Sequence, residues 1–418
     1  MQNQGQQVAV IGAGIIGINC AIAMQNKGYQ VTLIDKGAPG EQCSKGNAGH
    51  FATEQVFPLA EFSVLWQLPK MLINPLGPVA ISPMYFPKAI PWFCRFIINM
   101  FANKRTKNTQ AIKQLNELAI GAYQELLQAS GGEHLMVKEG SLLVFESTAL
   151  EDIKKIQQVY QSQDVAVELL DKTALHKLEP NLKDTIEFAL FFTDVAHTVC
   201  PLTLSKHLAS YAQSLGVIYQ QSAVEHVAQE GDHIVITTPI NTQTFDQVVI
   251  ATGAWSEKLA NDLGYKLPIE GERGYSLDLP TSTIDKLSRP VASAERRFII
   301  TPMSHGLRLG GTVEFAGLNA PANYQRATML HTNAQYIVND LPHAEEITHQ
   351  GWLGFRPSLP DSLPVIGRAP KHNKVIFALG HQHLGLTLGA ITGKLVAQVV
   401  NHEQPSVNLS AYCISRFQ

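Results

Sequence analysis

The sequence predicts an α/β protein in which a parallel-sheet domain is assembled from discontinuous pieces around an inserted, β-rich α+β domain. Three observations carry this. A chain of 418 residues, 45% hydrophobic and 16% charged, has the length and ordinary globular composition of two domains. The stretch VAVIGAGIIGINCAIAM, Val8 to Met24, sets a buried-strand run, a G-x-G-x-x-G turn and a helical run in direct succession. Beyond Asp35 the alternation of strand and helix breaks into loops and resumes only near Pro201, so one sheet draws strands from distant parts of the chain.

Val8 to Ile11 suit a buried parallel strand, and Ile18, Ala21, Ile22 and Met24 continue at helical spacing to Lys27 and the closing Gly28. The glycines therefore sit at a strand-to-helix junction. Gly12 makes the tight turn, Gly14 lets a pyrophosphate approach the backbone, and Gly17 permits close helix–strand packing. The helix N-terminus offers unpaired N–H groups to phosphate. Val31 to Ile34 form a second strand ending in Asp35, placed to bind a ribose hydroxyl and to disfavour a 2′-phosphate. These features together predict a Rossmann-like dinucleotide site.

Thirty-two basic against 35 acidic residues give a formal charge of −3 with no run of like charge, which lends no support to nucleic-acid binding. The five scattered cysteines include no C-x-x-C pair, so neither a disulfide framework nor a zinc ribbon is indicated, and a reducing, cytoplasmic setting is expected. The apolar opening is preceded by MQNQGQQ, without the basic region of a signal peptide, and its glycines disfavour a transmembrane helix.

Downstream, a loop EQCSKGNAGHFATEQVFP leads into a proline-studded region from Pro58 to Pro91. Residues 105–130 have a helical pattern, GSLLVFES reads as a strand, and 150–180 as helical segments. A helix from Pro201 closes at Gly216, strands follow to Ile250, residues 264–315 are strand-rich, and strand Lys374–Gly380 precedes a final helix, Ala390 to Val400. The expected division assigns 1–60, 200–260 and 350–418 to the nucleotide domain, and 61–199 and 261–349 to a substrate domain.

The fingerprint with Asp35, together with SKGNAGH, ATGAW, GERGYS, GFRPSLPDSLPVIG and ALGHQHLGLTLGAITGK, resembles the FAD-dependent D-amino-acid oxidase superfamily. The similarity is greatest to its bacterial D-amino-acid dehydrogenases, hydroxyproline-type members included, and it spans the whole chain in motif order. It implies an extended, non-covalently held FAD. The pyrophosphate would rest on Gly12, Ala13, Gly14, Ile15, Ile16 and Gly17, and the ribose on Asp35 beside Lys36. The flavin would lie under Ser44, Asn47, Ala48, Gly49 and His50, and against Gly380, Gly385, Leu386 and Thr387. Val224, Ala251, Thr252 and Gly253 complete the expected contacts. Independently, LGLTLG follows a strand and opens a helix, whose dipole can stabilise negative charge on reduced flavin.

In amine-oxidising members a hydride passes from Cα to flavin N5 and the imine hydrolyses, the cofactor supplying the chemistry while the protein orients substrate. Arg356 matches the arginine of the family's G-x-R-P motif and is either a bidentate carboxylate fork or a structural ion pair. His383 stands where related glycine oxidases carry a second arginine, leaving room for a ring or hydroxylated substrate. Tyr275 reads as a flavin-facing residue or plain sheet packing. His50 reads as a substrate contact or a polar loop residue. His381 and His383, at i and i+2 without a third ligand, make a poor metal site. The implied substrate is a D-amino or cyclic imino acid such as D-proline or cis-4-hydroxy-D-proline. Two other readings are a hydroxy-acid or polyol-phosphate oxidoreductase and a flavin-binding sensor. The expected electron acceptor is a quinone or an electron-transfer protein. IPWFCRFIINMF, Ile90 to Phe101, reads as a core or domain-packing helix or as a peripheral membrane contact.

Overall fold

The computed structural model describes residues 5–62, 76–348 and 351–418, so part of the proline-studded region lies outside the described residues. A six-stranded sheet runs in the order Ile218–Gln221, Gln30–Asp35, Gln7–Ile11, Gln247–Ile250, His372–Leu379 and Val365–Ala369. The first five are parallel and the last is antiparallel. Ile11 pairs with Ile250, so the turns at Gly12 and Ala251 emerge side by side from the carboxyl edge. That edge, near the middle of an open α/β sheet, is where such folds bind ligands.

One face of this sheet is covered by helices Ile15–Asn26, Gly385–Val400 and Ala102–Ser130. Helices Ile15–Asn26 and Gly385–Val400 approach so closely that a Cβ on Gly393 would lie 2.5 Å from Asn19 O. Small residues at the crossing let the two N-termini converge on one place. The helix Ala102–Ser130 departs from the expected division, which put it in the substrate domain. Ile112, Leu115, Ala119, Ala122 and Tyr123 form its buried stripe and pack into the core of the nucleotide sheet. An antiparallel meander, His226–Glu230, His233–Thr237 and Thr242–Phe245, covers the opposite face through Val227, Ile234 and Ile236.

The second domain centres on a nine-stranded sheet. Its path is Trp352–Ser358, Glu270–Asp278, Gly306–Phe315, Phe298–Met303, Val291–Ser293, Ser141–Phe145, Phe188–Phe192 and Val167–Leu170, with Val79–Ile81 paired to Gly306–Phe315. Two expectations shift here. Trp352–Ser358 joins this sheet, antiparallel to Glu270–Asp278, although 350–418 was assigned whole to the nucleotide domain. Residues 150–180 are not continuously helical: Val167–Leu170 is a strand between helices Leu150–Gln161 and Lys172–Leu178. A smaller sheet pairs His50–Phe51 with Ala196–Thr198, itself paired with Met136–Val137, and ties the loop after Asp35 to the body of the protein.

Candidate active site

The strand-to-helix turn is built as the spacing requires. Gly12 has φ +106°, and a Cβ there would lie 2.4 Å from Ala251 O. At Gly17 a Cβ would lie 1.7 Å from Gly12 O, so both positions exclude any side chain. Asp35 fixes the turn from below, accepting from the N–H of Ala13 at 2.6 Å and of Gly37 at 2.9 Å. Ser44 Oγ accepts from the Ile15 N–H at 3.0 Å, and no side chain caps the helix at Gly14. Such a cradle fits a dinucleotide pyrophosphate. Lys36 is held over the Trp255 ring, its Nζ 4.6 Å from the centroid.

The Ser44-to-His50 loop is clamped from the second domain. Arg308 donates to the carbonyls of Lys45 (2.8 Å) and Asn47 (3.0 Å) and forks onto Asp278 at 2.6 and 2.8 Å. Burial alone would raise Asp278, but hydrogen bonds from Arg308 and His305 outweigh it and hold the carboxyl well below the usual range. The Trp352 ring packs on Gly46.

Turn, loop and both sheets enclose a cavity of about 1030 Å³. Of the expected cofactor contacts, Gly12, Gly14, Ile15, Ile16, Asp35, Lys36, Ser44, Asn47, Ala48, His50, Val224, Ala251, Thr252, Gly253, Gly380, Gly385 and Leu386 line it. Ala13, Gly17, Gly49 and Thr387 stand behind the wall. Thr387 is fully buried, and its Oγ1 accepts from the Ala52 N–H at 3.0 Å.

The residues expected to meet substrate part company. Arg356 and His383 both line the cavity. Arg356 lies over Gly274, whose Cβ would fall 2.5 Å from the guanidinium carbon. It donates to Glu272 Oε1 at 3.0 Å, to Thr312 O at 2.9 Å and to Gly311 O at 3.5 Å. Five N–H donors set against these three acceptors leave two for a ligand. Burial pushes His383 down to about 4; Glu272 opposes this shift, while Arg356 and His50 add to it. The imidazole is therefore neutral at pH 7. His50 also faces the cavity, its Nε2 3.5 Å from Glu54 Oε1.

Of the two readings of Tyr275, its contacts match sheet packing. It contributes to the cavity wall, but its hydroxyl donates to Glu314 at 2.8 Å and accepts from the Asn323 N–H at 2.9 Å. Strand alternation places Tyr275 opposite in direction to Glu272 and Gly274, inside the second domain's core. His381 is buried, with Nε2 3.0 Å from Thr392 Oγ1.

The chain matches the family model of DAO-type FAD-dependent oxidoreductases over residues 7–399. A D-amino-acid oxidase of Bradyrhizobium diazoefficiens is 32% identical over 419 residues, covering 99% of each chain. The chain belongs to the DAO family. Among solved structures of this fold, glycine oxidase from Geobacillus kaustophilus superposes with a TM-score of 0.75 at 21% identity, covering 99% of both chains. L-proline dehydrogenase from P. horikoshii gives 0.72 at 17% identity, covering 99% of this chain and 98% of that one. The protein is thus an FAD-dependent amino-acid oxidoreductase of the DAO family.

Several residues of this DAO-family cavity escape sequence reasoning. Glu54, Gln55, Glu272, Gly274 and Trp352 all line it, and Arg308 with Asp278 stabilises its loop. Glu272 was within reach, because it shares a strand face with Gly274 in the quoted GERGYS motif. Glu54 was signalled only by a carboxylate four residues past His50.

Proposed function

We propose that the protein oxidatively deaminates a D-amino acid or cyclic imino acid of the D-proline or cis-4-hydroxy-D-proline class. The observation that carries this reading is Arg356, an arginine at the cavity wall with two N–H donors to spare, beside neutral His383. A guanidinium fork suits the substrate carboxylate. A neutral imidazole can donate to or accept from a ring hydroxyl without adding a charge. The relative named for D-amino-acid oxidation supports the D-series, and the neighbour named for proline dehydrogenation supports a secondary amine within the fold's range. Bound FAD, held without a covalent link, would supply the hydride acceptor for Cα–H oxidation. Arg356 and His383 orient that Cα, and the Arg308 clamp keeps the covering loop in place. Anaerobic addition of D-proline, cis-4-hydroxy-D-proline, D-alanine and their L-isomers tests this through loss of the oxidised flavin spectrum.

We further infer that electrons leave at the inner face of the cell membrane, to a quinone. Helix Phe86–Ile98 exposes Phe86, Ile90, Ile97 and Ile98, and Phe101 beyond it is 57% exposed. Lys88, Arg95, Lys104 and Lys107 are exposed along the same stretch, and no carboxylate occurs between Glu61 and Glu117. An apolar face ringed by cations suits an anionic lipid surface. Phe101 also packs on Phe62, next to cavity-lining Glu61. Co-sedimentation with phosphatidylglycerol vesicles, and not with phosphatidylcholine vesicles, is the expected result.

A further inference from the structure

The cavity also holds a buried carboxylate, Glu54. Glu54 is only 4% exposed and lines the cavity, and its Oε2 is buried with no hydrogen-bond partner. Its Oε1 accepts from Gln55 Nε2 at 3.3 Å and lies 3.5 Å from His50 Nε2, which is itself buried without a hydrogen bond. Behind His50, its cross-strand partner His197 also carries an orphaned buried atom, Nδ1. Unpaired buried polar atoms are costly and rare, and two together on a cavity wall, with a third behind them, point to a polar ligand.

A structural ion pair between His50 and Glu54 does not account for this group. It would leave Oε2 empty, and 3.5 Å is long for a charge-assisted hydrogen bond. The other titratable groups facing Glu54 and His50 are Tyr160 on helix Leu150–Gln161, His197, and His383 across the cavity. None of them is a cation at neutral pH: burial raises Tyr160, and burial lowers His197 to about 4 and His383 to about 4. The cation that fits is a primary or secondary ammonium.

We propose that Glu54 binds the protonated nitrogen of the amino or imino acid and accepts its proton before the Cα–H bond breaks. This rests on the function proposed above, with Arg356 holding the carboxylate end of the same zwitterion. The N–H bond breaks with its electron pair remaining on nitrogen, and an O–H bond forms on Glu54. Neutral amine and neutral carboxylic acid then share the cavity, and the nitrogen lone pair is free to support departure of the hydride. His50 stands beside the carboxylate, its Nε2 3.5 Å from Oε1.

The test uses the FAD-loaded protein, Glu54→Gln and two ligands. Pyrrole-2-carboxylate, which has a carboxylate and no ammonium, should perturb the flavin spectrum of wild type and E54Q with the same affinity. D-proline should bleach E54Q at least 10-fold more slowly than wild type at pH 7. That deficit should close as pH rises toward the amine's own pKa, where the free base is supplied by solution. An unchanged bleaching rate, a deficit that does not vary with pH, or an equal loss of pyrrole-2-carboxylate binding would overturn the proposal. A wild-type flavin that no amino acid bleaches overturns the underlying function as well, whereas a bleached wild type with an unaltered E54Q overturns this proposal alone.

Discussion

Arg356 and Glu272 are register partners on neighbouring antiparallel strands, and their side chains meet with Nη1 3.0 Å from Oε1. Ser358 donates to the second oxygen of Glu272 at 2.8 Å, so the carboxylate is fixed before it fixes the arginine. Arg356 is thereby a structural ion pair that also lines the cavity. The pairing holds a long side chain in one rotamer facing the cavity, which reduces the entropy lost when a carboxylate binds.

Arg356→Lys should retain the ion pair's charge and lose the fork. A bidentate, charge-assisted contact of about 1.5–3 kcal/mol corresponds to roughly a 10- to 150-fold rise in KM for the amino acid. Flavin uptake, read from the absorption of the purified protein, should be unaltered. Steady-state kinetics across substrate concentration checks both.

Gly12→Ala should abolish FAD binding, because its Cβ would collide with Ala251 O in a backbone conformation that alanine avoids. Asp35→Asn should be milder. The amide can still accept one backbone N–H, but it loses the second acceptor oxygen and the charge that favours a ribose diol. Titration of the apoprotein with FAD, followed by flavin fluorescence, should show weakening of about 10-fold, or roughly 1.4 kcal/mol.

His305 makes stability depend on pH. Its Nε2 lies 3.1 Å from Asp278, whose hydrogen bond is the main cause raising His305 to about 9 from an ordinary 6.5. A raised folded-state value stabilises fully below about 6.5 and is lost as pH rises through 9. The side chain is 38% exposed, so solvent screening reduces the effect to about 1 kcal/mol. Thermal unfolding should therefore show a falling Tm between pH 7 and 10, with a shallower slope in His305→Gln.

The same histidine sets the reactivity of Cys200, which stands at the start of helix Pro201–Ser214. Burial alone would raise this thiol, but hydrogen bonds from His305, Thr203 and backbone N–H groups outweigh it and bring it to about 6. Burial pushes Cys20 up to about 12 and also raises Cys43. Iodoacetamide at pH 7 should label Cys200 ahead of these two, as read by peptide mass spectrometry. His305→Gln should move the pH midpoint of Cys200 labelling upward.

The nucleotide half of the fold was legible because its signals are local. The turn at Gly12, the helix after it and the strand ending in Asp35 each follow from spacing within one short segment. The final helix, expected from Ala390, begins at Gly385, so that LGLTLG forms its first turns. The helix Ala102–Ser130 was found, but its partner was not, since an amphipathic stripe does not state which core it covers. Val167–Leu170 was hidden among helical segments, although Val165, Val167 and Leu169 alternate as a strand does. In the site, Arg356 and His383 stand in recognisable motifs. Tyr275 stayed open between two readings because the face a strand residue presents depends on register, which the sequence leaves open. Glu54 and Glu272 are ordinary carboxylates until folding buries them.

The proposed function requires that an amino acid and FAD meet in this cavity with the arginine at one end. The most direct test is the absorption spectrum of the purified protein, recorded anaerobically before and after D-proline, cis-4-hydroxy-D-proline, D-alanine and their L-isomers. The expected result is a yellow protein bleached by a D-isomer, with the bleaching slowed in Arg356→Lys. A protein that takes up FAD but keeps its oxidised spectrum with every amino acid would contradict it.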